Sequence, residues 1–427
     1  APDLVHWLLK LGVKFNMSGY DDVDLRNFGG QKKKRTAFAQ SDTGKQIMTA
    51  MIDAVRRKEA SGMVERFSHH SFLTLRLCGN ICCGCVIRDE YSQETVELPG
   101  DAVIVATGGM HGLFGNTTGS LSNTGEVTAE LFRLGVPLAN GEMIQYHPTT
   151  VKCGGKRMLI SEAARGEGGR LFAMKDGKQW YFMEEKYPEL GNLMPRDITA
   201  REIWKVSHES EVFLDMTEIS EEIISNKLSG LADDCMTYLH KDIRKEPVSV
   251  LPGIHYFMGG ILVDEQHRTP IQNLYAAGEC CAQYHGANRL GGNSLLGALY
   301  GGRVAAKSAC EQADVVDLSC ATQIDFPPAS QISEIKQLNK VMQETMGVVR
   351  NENTLLNGIQ TVQALTGNLP LLGMAVLKSA LARKESRGAH WREDYPKSND
   401  DDYLKTTVAR FDGKQIQISF VPVPERR

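Results

Sequence analysis

Ala102-Val103-Ile104-Val105-Ala106-Thr107-Gly108-Gly109 is apolar along its length and closed by glycines, which predicts a strand in an α/β sheet covered on both faces. Strand-like text returns at Gly259–Asp264 and at Asn273–Glu279, where a second apolar run ends in Ala277-Gly278-Glu279. Two strands closing on Thr-Gly-Gly and Ala-Gly-Glu look like later strands of a dinucleotide-binding fold. Such a fold normally opens with a Gly-x-Gly-x-x-Gly turn that seats a pyrophosphate on a helix N-terminus, and no such turn follows any strand in this sequence. Either the fold never had that turn, or the first βαβ unit was cut from the chain. A sequence that starts at Ala1 rather than at a methionine favours the second reading.

Outward from that strand, Leu4 to Leu11 has an amphipathic pattern, and residues 66–99 read as a hairpin region with a Gly79-Asn80 turn. A helix is predicted from Asn123-Thr-Gly-Glu126 to near Gly135. Residues 143–254 mix short strands with charged helices such as Ser220 to Leu228. Ile335, Leu338, Val341, Met342 and Met346 set a helical period within 331–385, as in a small bundle, and 389–427 is polar and then strand-like.

A chain of 427 residues has room for two or three domains. With 42% hydrophobic and 23% charged residues it has the composition of a folded protein. A net charge of −4 without a dominant basic face argues against nucleic acid as a partner. The basic run Lys32-Lys33-Lys34-Arg35 reads as a solvated loop. Since no apolar stretch reaches the roughly 18 residues of a membrane span, any membrane contact is expected to go through a partner. The ten cysteines read as reduced thiols of an intracellular protein. Cys78, Cys82, Cys83 and Cys85 sit on two strand-like runs whose alternation scatters their side chains, so no metal site is expected there.

Chemistry concentrates in His285-Gly-Ala-Asn-Arg289-Leu-Gly-Gly-Asn293-Ser294-Leu295-Leu296, a glycine-rich loop running into a helix. Asn293 and Ser294 are good cap residues, and the amides at such a helix start stabilise an anion, for instance the charge near N1 and O2 of a reduced flavin. Arg289 offers a planar fork for a carboxylate. Together these suggest a redox site with an acidic substrate; the plain alternative is a capped turn with a surface arginine. His147-Pro-Thr follows the apolar Met143 and Ile144, and Leu159-Ile-Ser161-Glu162-Ala-Ala-Arg165-Gly-Glu-Gly-Gly169 comes twelve residues on. If that segment is helical, Glu162 and Arg165 share a face and can pair. Pro195-Arg196-Asp197 and His255-Tyr-Phe-Met-Gly-Gly260 complete the set. Taken singly, each is a structural histidine, a surface ion pair or a helix cap; their number and their placement near glycine turns point to a site.

In that order, these motifs, with Ala277-Gly-Glu279 and Glu385-Ser-Arg-Gly-Ala-His390-Trp-Arg-Glu-Asp-Tyr-Pro, resemble the flavoprotein subunit of the succinate dehydrogenase and fumarate reductase family, a relative of L-aspartate oxidase. The resemblance spans essentially the whole chain. It implies an α/β architecture: a Rossmann-like FAD-binding domain without its N-terminal βαβ unit (1–142 and 255–325), an inserted α+β capping domain (143–254), a helical bundle (326–388) and a tail segment (389–427). It implies a dicarboxylate substrate, succinate or fumarate, held by His147, Ser161, His255 and Arg289 where cap meets flavin domain. Arg196 becomes the proton donor or acceptor, with a relay through Glu162 and Arg165. Serine at 161 stands where threonine is common, as in aspartate oxidases, and keeps the hydroxyl. FAD contacts fall to Glu279, Asn293, Ser294, Leu295, Glu126, Gly108 and Gly109, with Glu126 one methylene longer than the family's usual aspartate. The implied partner is an iron–sulfur subunit, with a membrane anchor beyond it, and the implied location is cytoplasmic. The alternatives are an L-aspartate oxidase and a catalytically inactive fragment that cannot hold FAD alone.

Overall fold

The computed structural model describes all residues except 21, 32, 121, 316–323, 325, 327–330 and 424–427. Lys32 of the basic run, the expected boundary at 325 and the last four residues of the tail lie outside the described residues. The chain divides into two compact units, one of residues 1–67, 146–254 and 290–296, the other of 68–145, 255–289 and 297–427.

The first unit is built around a four-stranded antiparallel sheet in the order Lys178–Trp180, Arg170–Lys175, Val212–Asp215, Val248–Ser249. Leu171, Ala173, Val212 and Leu214 of its strands share a core with Ile203 from helix Arg196–Val206 and with Leu231 and Cys235 from helix Ser229–Leu239. The expected helix after Ser220 is present as Glu221–Lys227, and the Ser220 hydroxyl caps it by accepting from the Ile223 amide.

Residues 1–67 were expected to group with the rest of 1–142, but they pack in the unit that holds 146–254. Long-range contacts explain the difference. Phe28 packs on the core just described, Ser41 Oγ accepts from the Gly230 amide at 3.1 Å, and the Gln31 amide donates to the Gly291 carbonyl at 3.1 Å.

In the second unit, His70–Cys78, Ile81–Asp89 and Thr95–Pro99 form an antiparallel sheet, and Gly79 supplies φ = 59° at the expected turn. Gly84 lies at φ = 132°, and a Cβ there would stand 2.1 Å from the Leu98 carbonyl of the next strand. Gly84→Ala is therefore expected to cost about 1–3 kcal/mol, read as a lower denaturation midpoint; an unchanged midpoint would show that the strand pair yields.

Strand Val103–Val105 pairs in parallel with Leu274–Ala276, as the two glycine-closed runs suggested. Coverage on both faces does not hold: Ile104 is 41% exposed, and Ala106 and Thr107 are exposed. Among the described residues this sheet has two strands, and its face at Ile104 is partly open. The expected bundle is present as helices Ile332–Thr345, Glu352–Val362 and Asn368–Ala382, which bury Leu338, Met342, Leu355, Val362, Leu372 and Val376. The tail forms the hairpin Lys405–Phe411 and Ile416–Pro422, which joins Leu138–Ala139 and Gly260–Ile261 in a four-stranded sheet.

Eight described cysteines are free thiols, whereas Cys78 is disulfide-bonded, against the expectation that all are reduced. No helix among the described residues is long and apolar enough to cross a membrane.

Candidate functional site

In the first unit, Ser161 caps the short helix Glu162–Gly166 by accepting from the Ala163 amide at 3.2 Å, which leaves its hydroxyl proton available to a ligand. The cap starts the helix with Glu162 and Arg165 one turn apart, both buried. Glu162 Oε1 accepts from Arg165 Nη2 at 3.1 Å. Its Oε2 accepts from Arg196 Nη2 at 2.7 Å and Nε at 3.1 Å. Arg196 reaches it from the first residue of helix Arg196–Val206, directly after Pro195.

The result is a buried triad of two guanidinium groups and one carboxylate, with a surplus positive charge. Each ion compensates part of the others' desolvation, and the surplus suits an anionic substrate. Burial lowers the Arg165 pKa, opposed by Glu162 and assisted by the positive charge of Arg196. Arg165 Nη1 also donates to the Asn192 carbonyl at 2.6 Å.

Two glycines make room for this carboxylate. A Cβ on Gly29 would lie 2.6 Å from Glu162 Oε1, and one on Gly291 would lie 2.6 Å from Oε2. Neither was singled out from the sequence, because neither sits near Glu162 in the chain; the Gly29-Gly30 and Gly291-Gly292 pairs were the available signal. His147 is fully buried, and its Nδ1 faces the Thr149 carbonyl at 3.0 Å. Nδ1 also lies 3.3 Å from the Thr149 amide, which donates to it in the tautomer that carries the ring proton on Nε2.

Residues 290–296 carry the start of the 20-residue helix Asn293–Gln312, with Asn293 as its first helical residue. Gly292, at φ = 82°, turns the chain into it, and Gln31 holds Gly291 in place. Ser294 and Leu295 are half-buried at that helix start.

In the second unit, Thr118 Oγ1 lies 2.8 Å from Nδ1 of the half-buried His255. Glu279 Oε1 accepts from the Phe257 amide at 3.0 Å and lies 3.7 Å from His111 Nε2. The carboxylate is partly exposed, so Oε2 is placed to accept from a hydroxyl. Gly108, at φ = 73°, would press a Cβ to 2.6 Å from Asn123 Nδ2, and Gly109 would press one to 2.8 Å from Glu279 Oε1. Neighbouring side chains of the protein itself thus crowd both glycines, and Gly108 also needs its positive φ. Glu126 starts helix Glu126–Arg133 and is exposed.

Arg289 is 3% exposed, with its guanidinium carbon 4.3 Å from the centre of the Tyr256 ring. Gln145 Nε2 donates to the Arg289 carbonyl at 2.7 Å and to Asn288 Oδ1 at 3.2 Å. Tyr256, Gln145 and Thr118, which touch Arg289 or His255, were not singled out as candidates from the sequence.

His285, 3.2 Å from the Tyr256 hydroxyl, has its pKa lowered to about 4 by burial and then by the Arg289 charge. Between pH 6.5 and 4 the unfolded chain binds a proton at this position and the folded chain does not. Stability is therefore complete above pH 6.5 and falls as pH drops through that window, by up to about 3 kcal/mol. A His285→Gln variant is expected to flatten this part of the stability–pH curve, followed by denaturant unfolding at several pH values. An unchanged slope would assign the acid sensitivity to other groups.

The structure thus brings Ser161, Glu162, Arg165 and Arg196 together in one unit, which also holds His147, Asn293, Ser294 and Leu295. His255, Arg289, Glu279, Glu126, Gly108 and Gly109 lie in the other. Each unit carries groups that suit part of a flavin: in the second, the part-exposed Glu279 carboxylate suits ribityl hydroxyls, and in the first, a long helix's first amides at Asn293–Leu295 suit a ring that becomes anionic on reduction.

Comparison with known proteins agrees with that chemistry. Residues 1–295 match the FAD binding domain family, and residues 365–426 match the fumarate reductase flavoprotein C-terminal family. The succinate dehydrogenase flavoprotein subunit of Bacillus subtilis is 35% identical, in an alignment covering 100% of this chain and 83% of that protein. The 8-methylmenaquinol:fumarate reductase flavoprotein subunit of Wolinella succinogenes is 31% identical, covering 100% and 78%. Among solved structures, a variant of E. coli quinol fumarate reductase FrdA superposes with a TM-score of 0.88 at 26% identity, covering 99% of this chain and 82% of that one.

Proposed function

Because the chain belongs to the flavoprotein family of succinate dehydrogenases and fumarate reductases, and is an FAD-dependent oxidoreductase of that family, we propose that it interconverts succinate and fumarate with Arg196 as the proton donor and acceptor. The observation that carries this reading is the buried Arg196–Glu162–Arg165 triad. FAD, when bound, supplies hydride transfer at flavin N5.

The protein's own groups do the rest. Arg289 and His255 bind carboxylate oxygens, as do His147 through Nε2 and Ser161 through its hydroxyl. Gripping both carboxylates polarises the double bond of fumarate and orients its carbons. Arg196 then protonates the alkene carbon that does not receive the hydride. A guanidinium is a weak acid, with a pKa normally above about 12. Glu162, hydrogen-bonded to both arginines, is placed to pass a replacement proton from Arg165. Glu279, Asn293, Ser294 and Leu295 hold the cofactor, with Glu126, Gly108 and Gly109 at its margin. An iron–sulfur protein is the electron partner, and through it the chain associates with a membrane.

Loading the purified protein with FAD, reducing it anaerobically and adding fumarate tests this reading. Return of the oxidised flavin spectrum with formation of succinate is the expected result. Iminoaspartate formation from L-aspartate, with no reaction of fumarate or succinate, would assign the chain to the oxidase side of the family. Failure to bind FAD would overturn the reading for this polypeptide.

A further inference from the structure

The motif Glu385–Pro396 takes no part in the reaction proposed above, yet it reaches the loop that carries Arg289. Arg387 and His390 pair across a two-residue turn, the Arg387 amide donating to the His390 carbonyl at 2.8 Å. Gly388 takes φ = 54° at its first central position, where glycine is the favoured residue. From the tip of this turn, the Ala389 amide donates to the Ala287 carbonyl at 2.8 Å, two residues before Arg289. Contact is so close that a Cβ on Gly388 would stand 2.4 Å from the Ala287 oxygen and 2.7 Å from its carbonyl carbon. Ala287 and Ala389 also pack together against Met143, Tyr256 and Met258.

The turn is fixed from behind. His390 is fully buried, with Nδ1 2.9 Å from Arg350 Nη1 and Nε2 3.2 Å from the Arg383 carbonyl. Those partners require Nδ1 to accept and Nε2–H to donate, which is the neutral ring. The same Arg350 nitrogen donates to the Glu142 carbonyl at 2.7 Å, on the segment that also presents Gln145 to the Arg289 carbonyl. Arg387 and Arg383 both bond Glu385, which is itself fully buried. The Arg289 loop is therefore clamped at two backbone carbonyls, by Gln145 at Arg289 and by Ala389 at Ala287, and Arg350 ties both clamps to one buried cluster.

We propose that the Gly388–Ala389 turn is a positioning element for dicarboxylate binding, fixing the Arg289 guanidinium by holding its loop at the Ala287 carbonyl. The proposal rests on the assignment of Arg289 to a substrate carboxylate. Misplacing such a group by a fraction of an ångström is enough to lower affinity, because a bidentate ion pair tolerates little change in angle.

The test uses the FAD-loaded full chain, with malonate as the dicarboxylate probe and the flavin spectrum as readout. Gly388→Ala is expected to raise the malonate Kd and the KM for fumarate by about tenfold or more, with FAD still bound and kcat changed far less. In an Arg289→Ala background the same substitution is expected to add nothing, since its effect runs through that guanidinium. Ala389→Gly keeps the amide but loosens the turn, and is expected to shift Kd in the same direction by about twofold to fivefold; it serves if Gly388→Ala fails to fold. Unchanged Kd in both variants, or an equal loss with and without Arg289, would overturn the positioning role. Wild-type protein that binds neither malonate nor fumarate would overturn the functional reading instead.

Discussion

Arg196→Lys is expected to lower the rate of fumarate reduction by about 10²–10⁴-fold, with FAD binding and the flavin spectrum unchanged. Arg196 meets Glu162 Oε2 through two nitrogens, Nε and Nη2, and this fork sets the plane in which its remaining N–H groups point. An ammonium can replace the charge, but it cannot reproduce the fork or reach with the same geometry. Loss of the proton donor raises the barrier only to the chemical step, so the malonate Kd should stay within a few-fold of wild type. Steady-state kinetics beside equilibrium titration separates the two quantities. A variant that keeps wild-type kcat would remove Arg196 from the proton path and leave it as an ion-pair partner.

Glu162→Gln is expected to have the largest combined effect. The substitution removes a carboxylate that bonds both guanidinium groups, in a place where Gly29 and Gly291 leave no slack around the side chain. Breaking a buried ion pair by removing one partner typically costs about 3–5 kcal/mol, because the remaining charge stays buried without compensation. Here two buried cations lose a carboxylate they share, so the denaturation midpoint should fall clearly. Turnover should fall with it, since a neutral amide cannot carry the replacement proton to Arg196. Glu162→Asp distinguishes the two losses. It keeps the charge but shortens the reach, and is expected to recover more stability than activity. Equal recovery of both would make the triad a structural element alone.

Much of the fold was legible along the chain, because the signals that mark it act between near neighbours. Ser220 announces a helix start, Gly79 announces a hairpin, and the spacing of Leu338, Met342 and Met346 announces a bundle helix. The i, i+3 spacing of Glu162 and Arg165 likewise foretold their ion pair. Less legible was anything that depends on which surfaces meet. The run from Ala102 to Gly109 reads as buried on both faces, yet Ile104 is exposed, because apolar composition does not say how many strands flank it.

By itself, then, the sequence determined the α/β class, the order of elements, the motif residues and the family to which the chain belongs. Tertiary structure alone decided that residues 1–67 pack with 146–254, and that Gly29 and Gly291 close on Glu162 from 133 residues before it and 129 after it. It alone brought the Gly388–Ala389 turn onto Ala287, about a hundred residues away in the chain. Caps, turns and helical periods are written in local spacing, whereas a close approach between distant backbones depends on how whole elements pack, which no local spacing records.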